Sequence, residues 1–116
     1  MEGNIMTTNE LIIKLELLVK KIEVFQSTLT AKYPNQVNDM QITNFIDSSQ
    51  NVKWDYLAKI EQLKKHSGDD VLKLYTDFAL RNIDINFQSV ELHFKTLMND
   101  NVIKYKPSDP NKTKIR

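Results

Sequence analysis

Glycine occurs in this chain only at positions 3 and 68, and proline only at 34, 107 and 110. These two residues oppose a helix interior most strongly, by about 1 kcal/mol for glycine and about 3 kcal/mol for proline relative to alanine. Long runs without either leave the α-helix as the least opposed local structure, and the few breakers then mark where helices stop.

The first helix is expected to begin at Thr7 or Thr8. Thr7-Thr8-Asn9-Glu10 has the form of a capping box, in which a threonine hydroxyl and a glutamate three residues on satisfy each other's backbone donors. It should end near Lys32, because Tyr33 precedes Pro34 and a residue before proline avoids helical angles. A second helical region lies between Asn35 and His66. Asp47, Ser48 and Ser49 are all good N-caps, so this region is either one bent helix or a short helix followed by a longer one. Its end is marked by Lys64, Lys65 and His66, which suit the negative end of a helix dipole, and by Gly68, which suits the left-handed residue beyond it. Ser67 or Asp69 should cap a third helix running roughly from Asp70 to Asn99. Within it, residues 82–87 alternate polar and apolar as a strand would, but the helical period on both sides predicts helix.

The expected fold is all-α, an elongated antiparallel three-helix bundle about 40 Å long, since short turns make sequential helices antiparallel neighbours. Residues 1–7 would be a flexible N-terminus, 8–101 the single bundle domain, and 102–116 an extended basic tail with Pro107 and Pro110. A chain of 116 residues that is 41% hydrophobic and 27% charged suits one domain with a core of its own.

The apolar pattern is richer than such a bundle needs. In the first helix Leu11, Leu15, Leu18, Ile22, Phe25 and Leu29 form the main stripe, widened by Ile12 and Val19. Ile13, Leu17 and Val24 fall on the opposite side. In the third helix the main stripe is Leu72, Tyr75, Ala79, Ile83, Phe87, Val90, Phe94 and Leu97, and Leu74, Phe78, Ile85 and Leu92 lie roughly opposite. The second helix has one face, of Ile42, Phe45, Ile46, Val52, Tyr56, Leu57, Ile60 and Leu63, with Trp54 on its far side. Helix bends, or the tail packing across, would bring a surplus stripe into one core. Alternatively, the surplus stripes meet another chain, as exposed apolar patches usually do. Trp54 has two readings of the same kind, a binding hot spot or a cap on the bundle end.

Chemistry is sparse. With no cysteine, disulfides, zinc–thiolate sites and thiol catalysis are excluded. His66 and His93 belong to no metal motif: there is no His-Glu-x-x-His, and Leu63 and Val90 stand where a di-iron site needs glutamate. His66 reads as a helix C-terminal residue and His93 as a boundary residue. Two isolated glycines cannot build a phosphate loop or a nucleophile elbow. Asp69-Asp70 suits a helix start better than a metal site, and Asp84 should be exposed. No catalytic, cofactor or metal residue is therefore expected.

Charges recur too often for a membrane span, and the first residues lack a basic signal-peptide region, so an intracellular protein is expected. Lys104, Lys106, Lys112, Lys114 and Arg116 face only Asp109 in the tail, a net of +4 that leaves residues 1–103 at −3 in a chain of +1. Such a tail suits nucleic acid, acidic lipid or an acidic partner, or simply keeps the chain solvated. The functional expectation is a non-enzymatic interaction module, a coiled-coil-like bundle that binds a partner helix or a second copy through Ile13, Leu17, Val24, Trp54, Leu74, Phe78, Ile85 and Leu92. Two alternatives are a nucleic-acid-associated factor using the tail, and a small-ligand carrier with a pocket between helices.

Overall fold

The computed structural model describes residues 6–34 and 40–99. They form three helices, α1 (Thr8–Lys32), α2 (Met40–Lys64) and α3 (Asp77–Met98), with a short 3-10 turn at Val71–Lys73.

α1 starts as its sequence requires. The Thr7 hydroxyl accepts the Glu10 N–H at 3.2 Å, and the Glu10 carboxylate accepts the Thr7 N–H at 2.9 Å. It stops one residue before Tyr33-Pro34. α2 is one continuous helix, so Asp47, Ser48 and Ser49 do not divide it. The two serine hydroxyls turn back inside the helix instead, donating to the Phe45 and Ile46 carbonyls at 3.3 and 3.1 Å. Ser49 is fully buried and also accepts the Gln26 side-chain amide at 2.9 Å. That contact ties α1 to α2 at one register.

Gly68 has φ +84°, the left-handed conformation expected after the end of α2. α3, however, starts seven residues later than the sequence suggests, at Asp77 instead of Asp70. The segment after Gly68 is held extended against the start of α1: the Thr8 N–H donates to Asp69 O at 2.7 Å and the Val71 N–H to Met6 O at 3.0 Å. The buried Thr8 hydroxyl donates to His66 O at 2.6 Å. Asp70 caps the 3-10 turn, accepting the Leu72 N–H at 2.9 Å, and Thr76 rather than Ser67 or Asp69 caps α3, accepting the Ala79 N–H at 3.0 Å. Residues 82–87 are helical.

α1 and α3 run parallel, with α2 antiparallel to both. Lys14 pairs with Asp84 at 2.8 Å near one end, Phe25 stacks on Phe94 at 4.5 Å in the middle, and Lys32 donates to Met98 O at 3.1 Å at the other. The core is the main stripes of α1 and α3 closed over the single face of α2, except that Leu57 and Leu72 are exposed; Leu15, Ile22, Leu29, Phe45, Tyr56 and Leu63 are fully buried.

Tyr56 ties α2 to α3 by donating its hydroxyl to the Ile83 carbonyl at 2.5 Å. Burial first, then the Asp84 and Asp55 carboxylates, hold this phenol well above the usual tyrosine range. A raised folded-state pKa means that this stabilisation is intact below about pH 10 and is lost as the pH rises further. Tyr56→Phe should cost about 1 kcal/mol at neutral pH and flatten the alkaline limb of the stability curve. Urea titrations at neutral and alkaline pH check both; an unchanged alkaline limb would count against this account of Tyr56.

Candidate interaction surfaces

Among the described residues, no three His, Asp or Glu side chains gather into a group that could hold a metal. His66 Nδ1 lies 3.6 Å from the Asp69 carboxylate at the end of α2. His93 stands edge-on to Phe45, 5.2 Å between ring centres, as a half-buried boundary residue. Asp84, expected to be exposed, is half-buried and engaged by Lys14.

Ile13, Leu17 and Val24 on α1, Trp54 on α2, and Phe78, Ile85 and Leu92 on α3 are each between 54% and 67% exposed. Neither helix bends its second stripe into the core. Leu72 and Leu74 depart from the sequence reading. Both lie before α3, and the 3-10 turn reverses their roles: Leu74, assigned to the outer stripe, packs against the core, while Leu72, assigned to the inner one, is exposed. The helical wheel cannot be extended through residues that are not α-helical.

The outer face of α1 is finer than three apolar residues. Glu10, Ile13, Leu17, Lys20, Val24, Ser27 and Ala31 alternate spacings of three and four, and every one is exposed. That is the spacing of a coiled-coil seam. Glu16 and Glu23 border it on the α2 side, and Lys14 and Lys21 on the α3 side. On α3 the large residues Phe78, Ile85 and Leu92 recur every seven places, each followed four residues later by a polar one, Asn82, Ser89 and Thr96. The two ridges do not merge, because the Lys14–Asp84 pair and Lys21, whose ammonium lies 5.9 Å from the Phe87 ring centre, occupy the ground between.

Trp54 sits midway along α2, which removes the end-cap reading. Two hollows lie beside the ridges. A groove of about 460 Å³ between α1 and α2 has a floor of Val19, Leu57 and Ile60, and walls of Glu16, Lys20, Glu23, Glu61 and Lys64. A smaller hollow of about 230 Å³ involves Met6, Leu11, Lys14 and four residues of α3. Trp54 lines neither. Sequence reasoning missed the larger groove, because it depends on which flanks of α1 and α2 meet.

Lys104, Lys106, Lys112, Lys114 and Arg116 lie outside the described residues. Among the described residues no helix is long and apolar enough to cross a membrane. Comparison with protein families, curated proteins and solved structures returns no match for this chain.

Proposed function

We propose that this chain is a non-enzymatic helical interaction module that binds a partner helix or a second copy through the outer stripes of α1 and α3. The observation that carries the reading is the exposure of Ile13, Leu17, Val24, Phe78, Ile85 and Leu92 on a bundle whose core is filled without them. Isolated exposed apolar residues are ordinary on a protein surface. Six of them aligned in two ridges at coiled-coil spacing are the pattern of a helix-in-groove or helix-on-helix contact.

The test places one charge in the middle of each ridge. Leu17→Asp and Leu92→Asp should leave the helical signal intact and shift stability by no more than about 0.5 kcal/mol, as exposed substitutions do. Each should weaken association through its own ridge, read as solution mass and as retention of partner on the immobilised chain. If either substitution unfolds the protein, that stripe belongs to the core and the reading fails.

A small-ligand reading has one supporting observation, the groove between α1 and α2 with its apolar floor. Its walls are charged and it is open, whereas small-molecule sites are mostly apolar and enclose their ligand. The interaction reading is favoured on that ground.

A further inference from the structure

We propose that the exposed stripe of α3 is a self-association seam whose occupant is the same stripe of a second copy, lying parallel to it; this rests on the interaction reading above. The seven-residue recurrence of Phe78, Ile85 and Leu92 places them at the d positions of a coiled coil and Asn82, Ser89 and Thr96 at the a positions. Phe78, Ile85, Ser89, Leu92 and Thr96 are exposed and Asn82 is half-buried, while Ile83, Phe87 and Val90 are buried in the core, so the seam is available while the bundle stays closed.

The flanking residues choose the orientation. Ala79, Asn86 and His93 occupy the e positions, and Arg81, Gln88 and Lys95 the g positions. In a parallel pair the g side of one helix meets the e side of the other, so Arg81 faces Asn86 and Gln88 faces His93, with no like charges opposed. An antiparallel pair centred on Ile85 and Ser89 would set Arg81 against Lys95 twice.

The α1 stripe does not self-pair on the same terms. A parallel pair would put Lys20 against Lys20 inside the seam, and an antiparallel pair would set Glu16 against Glu23 and Lys14 against Lys21. A two-fold axis along the bundle closes the α3 pair into a dimer and stops there. The three large side chains supply on the order of 400 Å² per copy, about half the area of a standard interface. An interface of that size belongs with weak, transient contacts, so the dimer is expected to form only at high protein concentration.

The chain has no cysteine, so one introduced thiol reports the contact without background. Ser89→Cys at an a position faces its twin across a parallel dimer, within disulfide reach. Under mild oxidation at about 100 µM it should cross-link at least about tenfold faster than Ser27→Cys on α1. Light scattering on the unmodified chain should rise from 13.6 kDa toward twice that mass between about 10 µM and about 500 µM, and Leu92→Asp should abolish the rise. A monomer throughout, or equal cross-linking at both positions, overturns the self-association seam. Such a result leaves the interaction reading standing, since that one is tested separately, by whether Leu17→Asp and Leu92→Asp keep the chain folded and weaken retention of a partner on the immobilised chain.

Discussion

Phe45→Ala is expected to lower stability by about 3–5 kcal/mol, the usual range for removing a buried phenylalanine. Phe45 is fully buried on α2 and reaches α3 directly: its ring centre is 5.2 Å from His93 and 6.2 Å from Phe94. Phe94 in turn stacks on Phe25 of α1, so all three helices meet around this side chain. Truncation leaves a hole bounded by three rigid elements, and a site that cannot collapse retains the cavity penalty in full. For a domain of this size the melting temperature should fall by roughly 15 °C or more. Trp54→Ala is the contrast, since that larger side chain is mostly exposed and its loss should stay within about 0.5 kcal/mol. Urea midpoints for the two variants decide it. A Phe45→Ala cost below about 1 kcal/mol would mean that the aromatic junction does not hold the helices together.

The parts of the fold legible in the sequence were those set by local chemistry. The capping box at Thr7 and Glu10, the stop before Pro34 and the left-handed Gly68 each depend on a few neighbouring residues, and each stands where the sequence places it. The inner stripe of α1 was equally legible, because a 3.6-residue period sustained along the whole helix fits no strand and no irregular loop. What was not legible depended on residues distant in the chain. Ser67 and Asp69 are good caps, but the backbone at Asp69 is committed to Thr8, at the far end of the sequence, and α3 waits for Thr76. Once α3 starts late, Leu72 and Leu74 exchange faces, a change that no wheel drawn through Asp70 could show. Ser48 and Ser49 had the composition of a helix boundary and became interior residues, one of them tying α1 to α2 through Gln26. The outer stripes were legible as surplus, while their exposure is a three-dimensional fact.

Leu15→Asp should abolish the fold at neutral pH, although Leu17→Asp two residues along the same helix should not. The two positions are about 200° apart on the helical wheel. Leu15 has no exposed surface, while Leu17 is 54% exposed. An aspartate at 15 would bring a carboxylate into the hydrophobic core that α1 shares with α2 and α3. An unpaired buried charge costs several kcal/mol even after relaxation, against a total stability of about 5–15 kcal/mol for a domain. The lost leucine packing adds about 2–5 kcal/mol. Together these reach or exceed the stability available, so the far-ultraviolet helical signal should collapse for Leu15→Asp and persist for Leu17→Asp. Equal helical signals from the two variants would mean that α1 does not have the sidedness on which both the core and the interaction ridge depend.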